Sequence, residues 1–238
     1  MQAYVQRYTT TETLLDIHGL QVRVTRIADF EELLQHIDPV TFAEDERLPY
    51  WAELWPASVA LGQYVRQCLP LAGRHVLELG CGLGLVGLVA ALQGAHVVCT
   101  DYEEAALDFA RYNARRNACR QMRFQLMDWR RPRLPRRYEY ILASDVIYEA
   151  RNFGPLVALL RRYLARGGRA VFSEPGRVNA VPFFALLRQH GFICETLHWP
   201  LHWEGTHRMA LHIVRYNQSP GRTPPRPSPA LPRPAGHR

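Results

Sequence analysis

The sequence predicts an α/β fold built on a doubly wound, mostly parallel seven-stranded sheet with an antiparallel last strand and an N-terminal hairpin and helix extension. Three observations carry this expectation. Apolar runs of strand length alternate with segments of helical spacing through most of the chain. Several of those runs end on an acid, which places polar groups along one sheet edge. A glycine cluster, Gly80-Cys81-Gly82-Leu83-Gly84, separates the first of those runs from the helix that follows it.

Residues Thr13 to Ile27 alternate around His18-Gly19, a hairpin pattern. Asp29 to Ile37 has helical spacing with Asp29 at the N-cap, and Asp38-Pro39 ends it. Leu48-Pro49-Tyr50-Trp51-Ala52-Glu53-Leu54-Trp55-Pro56 is dense in aromatic residues, either a lid packed on the core or one wall of a cleft. Ala57 to Leu69 is helical and stops before Pro70. His75 to Leu79 reads as a buried strand, followed by the glycine loop and a helix to about Gln93 that Gly94 caps. Glycines at such a junction let the chain turn sharply and approach a ligand closely. The free N–H groups of the helix start aim a partial positive charge at that ligand.

Ala95 to Asp101 is the next strand, Glu103 to Asn117 a helix, Met122 to Leu126 a strand and Tyr138 to Ala143 another. Pro155 to Ala165 is a helix with Gly167-Gly168 as its cap, and Arg169 to Ser173 is the fifth strand. Val181 to His190 is helical, and Phe192 to Trp199 and Arg208 to Tyr216 form the last two strands. The chain divides into an N-terminal extension (1–47), a main domain (48–217) and a tail (218–238). From Ser219 onward that tail holds seven prolines and four arginines and is expected to be disordered.

The 238 residues are 47% hydrophobic, enough for a substantial core. No run reaches the ~20 apolar residues of a membrane span, and the first residues lack the apolar centre of a signal peptide. A soluble, cytoplasmic protein is therefore expected. The five cysteines, Cys68, Cys81, Cys99, Cys119 and Cys194, form no Cys-x-x-Cys pair, so no metal site is expected and buried free thiols are. All 29 basic residues are arginine, which excludes a Schiff-base or P-loop lysine. The +7 charge is uneven: five arginines crowd between Arg130 and Arg137, while Glu44-Asp45-Glu46 is acidic. The arginine cluster is either a phosphate-binding patch or a solvated surface.

Gly82-Leu83-Gly84-Leu85-Val86-Gly87 matches the dinucleotide fingerprint, with Asp101 at the distance of a ribose-binding acid. Three features stand against a nicotinamide cofactor: the earlier Gly80 with Glu78 at the strand end, the pair Asp128-Trp129 after the third strand, and Asp145 after the fourth. Taken singly, Asp101 is also a reasonable helix N-cap, Asp128 a turn acid and Trp129 a core residue. Taken together, Glu78 to Gly84, Asp101, Asp128-Trp129 and Asp145 resemble a class I S-adenosylmethionine-dependent methyltransferase with its Rossmann-like sheet. The resemblance implies S-adenosylmethionine as cofactor. Asp101 would then accept from the ribose hydroxyls, and Asp128 from the adenine amino group with Trp129 beside the ring.

Leu48 to Pro56 and Ala143-Ser144-Asp145-Val146-Ile147-Tyr148 further resemble the family 16 protein lysine methyltransferases, which include those of the electron-transfer-flavoprotein beta subunit and of chaperones. Glu174-Pro175-Gly176-Arg177 is similar to the Asp-Pro-Gly-Arg of the flavoprotein branch, with Glu in place of Asp. The resemblance, from Leu48 to Tyr216, implies a cofactor set of Trp55, Glu78, Gly80, Gly82, Gly84, Asp101, Asp128, Trp129 and Ser144. It implies Asp145 and Tyr148, an acid-x-x-Tyr pattern, as the catalytic pair.

A lysine acceptor needs a neutral, aligned amine. Asp145 is the expected group to bind it and orient its lone pair, with cation–π contacts from Tyr148, Tyr50 and Trp51. Glu44, Asp45, Glu46 and Glu53 would steer a basic substrate, or form a solvated loop. Glu174 is expected either as a second carboxylate or as a turn residue. A protein is the expected partner, with no membrane and no metal. Val146-Ile147 stands where base-modifying enzymes carry two prolines, which counts against a nucleic-acid substrate. A small-molecule N-methyltransferase and a non-catalytic scaffold that recruits partners through its tail remain as alternatives. Lysine automethylation is excluded, because there is no lysine.

Overall fold

A computed structural model describes residues 5–35 and 48–217. The expectations for Asp38-Pro39, for Glu44-Asp45-Glu46 and for the tail lie outside the described residues.

The N-terminal hairpin is present, with β1 (Thr10–Ile17) antiparallel to β2 (Leu20–Ile27). His18 (φ 50°) and Gly19 (φ 79°) make its two-residue turn, the pair of left-handed residues that matches strand twist. Helix α1 (Phe30–Gln35) follows Asp29, and α2 (Pro56–Cys68) starts with proline in its first turn, where no N–H partner is lost.

The main sheet has the order β5-β4-β3-β6-β7-β9-β8. Its strands are β3 (His75–Leu79), β4 (His96–Asp101), β5 (Met122–Leu126), β6 (Tyr138–Ser144), β7 (Leu164–Glu174), β8 (Phe192–His202) and β9 (Thr206–Tyr216). The first five run parallel, β9 runs antiparallel to β7, and β8 runs antiparallel to β9. The chain moves outward from β3 through β4 to β5, then returns to the other side of β3 with β6. That reversal opens a crevice at the carboxyl ends of β3, β4 and β6, where such folds bind ligands.

Two apolar layers cover the sheet. One holds α2, α3 (Leu85–Leu92), α4 (Glu104–Arg116) and the inner face of the hairpin. The other holds α5 (Phe153–Tyr163) and α6 (Val181–Gln189). The hairpin is clamped to α4 by two asparagines one turn apart. Asn113 accepts from the Thr25 N–H (2.8 Å) and donates to the Thr25 carbonyl (3.0 Å). Asn117 does the same for Arg23, at 2.9 and 2.7 Å. Four helical residues rise about 6 Å, and two strand residues span about 6.8 Å, so the side-chain amides match the edge of β2 as a neighbouring strand would. Asn113 also donates to the carbonyl of Leu83 in the glycine loop (3.1 Å).

Two expectations are corrected. Gly167-Gly168 does not cap a helix: α5 ends at Tyr163 and both glycines lie inside β7. The pairing slips between Tyr138↔Leu164 and Tyr140↔Arg169, and a Cβ on Gly168 would stand 2.7 Å from the Glu139 carbonyl. The glycine is needed for strand-to-strand approach at a bulge. The last two strands are also longer than expected. β8 continues through Pro200 to His202 because it is an edge strand, where the missing N–H of a proline costs no ladder bond.

Candidate active site

The crevice is a cleft of about 430 Å³. Its floor is the glycine loop and the ends of β4 and β6, and its roof is the aromatic segment from Leu48 to Ser58. That segment holds itself in place. Trp55 donates from Nε1 to the Tyr50 carbonyl (2.7 Å), and Tyr50 meets both Trp55 and Tyr148 edge-on at 6.0 Å.

Gly82 sits at the centre of the floor. Its φ is 49°, and a Cβ there would stand 3.3 Å from the Trp51 carbonyl, so roof and floor meet at a position that only glycine fits. Its N–H donates to Asp101 Oδ2 (2.9 Å), and the Glu103 N–H donates to Oδ1 (3.0 Å). A carboxylate has about four acceptor sites, and the backbone N–H groups of Gly82, Glu103 and Tyr102 all act on that of Asp101. Burial pushes its pKa up to about 6, against the opposing pull of these backbone N–H groups.

Of the expected cofactor set, the cleft brings together Trp55, Gly80, Gly82, Asp101, Asp128, Trp129 and Ser144. Two members lie behind it. Gly84 caps α3 with φ 80° and packs on Ala110. Glu78 is 1% exposed and turned to the back of the loop, where Oε2 accepts from the Gly87 N–H (2.9 Å) and the Cys99 thiol (3.1 Å). Burial pushes its pKa up to about 8. Placed there, Glu78 braces the loop from behind and does not line the cleft.

Asp128 accepts from the backbone N–H of Arg130 (2.8 Å), and its two carboxylate oxygens both accept from Arg130 Nε (2.9 Å each). The Arg130 guanidinium lies 5.6 Å from the centre of the Tyr102 ring. Burial raises the Asp128 pKa, but the arginine outweighs it and holds the carboxyl below its ordinary value. Elsewhere in the arginine cluster, Arg137 donates to the carbonyls of Arg161 and Leu164 (3.2 and 2.9 Å). Arg136 meets His75 at 2.5 Å.

Asp145 follows the last residue of β6 with φ 51°, a left-handed conformation that Asp tolerates better than most residues. Its N–H donates to the Ser173 carbonyl (2.7 Å), which fixes the turn against β7. Its carboxylate is gripped by Arg177, with Nε to Oδ1 at 2.8 Å and Nη2 to Oδ2 at 2.9 Å. Tyr148 stands beside it, and burial pushes the phenol up to about 12, so it stays neutral. Of the two readings of Glu174, the structure takes the turn residue. It is buried at the end of β7, accepts from the Arg177 backbone N–H, and faces His212 Nε2 at 3.0 Å. Burial raises its pKa, but the His212 contact and the backbone N–H outweigh this and hold it below its ordinary value.

Sequence reasoning missed Arg177, Arg130 and Glu149. Glu149 lines the cleft and accepts from Arg151 Nε (2.6 Å) and Asn152 Nδ2 (3.0 Å). Arg177 stood in the Glu174-Pro175-Gly176-Arg177 motif and Arg130 in the arginine cluster, but neither was given a role beside the cleft acids, and for Glu149 the only signal was its place after a strand at the carboxyl edge. Among the described residues, no cluster of His, Cys, Asp or Glu is arranged to hold a metal, and no helix is long and apolar enough to cross a membrane.

The strand order, the glycine loop and the acid at the end of β4 define a class I S-adenosylmethionine-dependent methyltransferase. The cleft has room and chemistry for that cofactor: a buried carboxylate at Asp101 beside the glycine loop, and the aromatic walls of Trp55 and Trp129. A profile of the lysine methyltransferase family matches residues 35–190, more than half of the chain, and the chain belongs to that family. It is 32% identical over 152 residues to EEF1A lysine methyltransferase 3 of Mus musculus, covering 60% of this chain and 65% of that protein. It is 30% identical over 135 residues to the electron transfer flavoprotein beta subunit lysine methyltransferase of Xenopus laevis, covering 55% and 54%. The chain therefore spans less than two thirds of the length of these relatives. The crystal structure of a ribosomal protein L11 methylase from Lactobacillus delbrueckii subsp. bulgaricus shares the fold, with a TM-score of 0.56 and 18% identity over 68% of this chain and 79% of that one.

Proposed function

We propose that this chain transfers a methyl group from S-adenosylmethionine to a lysine side chain of a protein, in the cytoplasm. The observation that carries the reading is Asp145 with Tyr148, set at one cleft beside Asp101 and the glycine loop. Membership of the lysine methyltransferase family and the lysine substrates named for its relatives support it. The domain division fits the same reading: residues 48–217 carry the cofactor and amine sites, and the hairpin braces α4 and the loop.

When bound, S-adenosylmethionine supplies a methyl group made electrophilic by a positively charged sulfur. The chain's residues do the rest by positioning. Asp101 holds the ribose, and Trp55 and Trp129 wall the cleft. Asp128 and Ser144 lie on that wall as further polar partners. The substrate lysine enters past Tyr50 and Tyr148, which are 42% and 37% exposed and form an aromatic rim. Asp145 accepts an N–H of the amine and so turns the nitrogen lone pair toward the cofactor side of the cleft. Six carboxylates (Glu53, Asp101, Glu103, Asp128, Asp145, Glu149) and three arginines (Arg130, Arg151, Arg177) line the cleft, an acidic excess inside a chain of net charge +7. That contrast favours a cationic acceptor.

The test is transfer from radiolabelled S-adenosylmethionine in a soluble cell extract, with Asp145→Ala beside the wild type. Label in a protein band that is lost with Asp145→Ala, while S-adenosylhomocysteine still binds, supports the reading. Label confined to the small-molecule or RNA fraction, or no label in any fraction, overturns it.

A further inference from the structure

The carboxylate assigned to the amine is already paired. Both oxygens of Asp145 accept from Arg177, through Nε and Nη2, in the two-point geometry that makes guanidinium–carboxylate pairs strong. The pair is built in. The Asp145 side chain is 12% exposed, its backbone is pinned to Ser173, and the Arg177 backbone is pinned to Glu174 at the end of β7. Glu174 is itself held by His212, which is stacked on Phe184 with ring centroids 3.8 Å apart. The guanidinium is therefore delivered by a buried anchor.

We propose that Arg177 is a positioning residue that compensates the charge of Asp145, so that the carboxylate orients the substrate amine without trapping it as ammonium. This rests on the lysine reading of the site. An unpaired carboxylate beside an amine favours the protonated form and raises the amine's pKa. An ammonium has no lone pair and cannot attack a methyl group. With Arg177 in place the pair is neutral overall, while Asp145 keeps acceptor sites for an N–H of the neutral amine. The other groups facing Arg177 are Glu174 from β7 and Tyr148 from the segment after β6, while Glu149, Asp101 from β4 and Tyr50 from the roof face Tyr148. Glu174 lies against His212, Glu149 lies against Arg151, and burial keeps the Tyr148 phenol neutral. The charge next to the amine thus turns on Arg177.

Two measurements on Arg177→Gln and Arg177→Lys test this. In the first, N-acetyl-lysine amide, an ammonium at pH 7, is titrated by NMR into each full-length protein saturated with S-adenosylhomocysteine. Arg177→Gln should bind it roughly threefold to tenfold more tightly, because an uncompensated carboxylate now faces the cation. Arg177→Lys should bind as the wild type does. Unchanged or weaker binding in Arg177→Gln overturns the proposal. In the second, the pH profile of methyl transfer to the protein band should move about one unit to the alkaline side in Arg177→Gln, and return in Arg177→Lys. A rate lowered equally at every pH would mean a purely structural role and overturn it. If the wild type methylates no protein, the lysine reading fails, and the titration still decides what Arg177 does to a cation.

Discussion

The buried carboxyl of Glu78 makes stability depend on pH in a direction opposite to that of an ordinary surface acid. In the folded protein it titrates at about 8 against an ordinary value of 4.5. Below both values Glu78 is protonated in either state and folding changes nothing. As pH rises past 4.5 the unfolded chain releases this proton while the folded chain keeps it, so stability is lost progressively up to about pH 8. At about 1.4 kcal/mol per unit the ceiling is roughly 5 kcal/mol. Relaxation and water entry around a buried charge reduce it to about 2 kcal/mol. Glu78→Gln keeps an acceptor for the Gly87 N–H but cannot ionise. Urea denaturation at about pH 4 and about pH 8.5 should show Glu78→Gln nearly equal to the wild type at the lower pH and about 2 kcal/mol more stable at the higher. Equal pH slopes for the two proteins would refute the reasoning, since they would mean that Glu78 is already ionised in the fold.

Other outcomes follow from the same geometry. Asp101→Asn should weaken S-adenosylhomocysteine binding about tenfold to a hundredfold at pH 7.5 by calorimetry. Wild-type affinity should fall as pH drops below about 6, where Asp101 protonates, and the Asn variant should show no such fall. Asn113→Ala removes three buried hydrogen bonds and should cost about 3 kcal/mol, read as a Tm lower by about 9 °C.

The parallel core was legible because its strands are short, mostly apolar or alternating stretches between turn residues, and β3 and β5 fall where the sequence places them. The glycine loop, Asp101 and Asp145 were legible because each follows such a run. The facing of Glu78 was not. β3 is covered on both faces, so Leu77, Glu78 and Leu79 show no alternation that tells one side from the other. Gly167-Gly168 misled because a glycine pair after a helix is written the same way whether it stops the helix or lets two strands touch. The Asp145–Arg177 pair joins residues 32 positions apart, and only the adjacency of β6 and β7 makes them neighbours.

The asparagine clamp on β2 gives the hairpin a say in the behaviour of the cofactor loop. One amide group, that of Asn113, grips both Thr25 and the Leu83 carbonyl. Detachment of the hairpin therefore strips a bond from the loop in the same event, and hydrogen exchange at Thr25 should report loosening around Leu83 as well. A ligand that stiffens the loop slows the peeling of a strand it never touches.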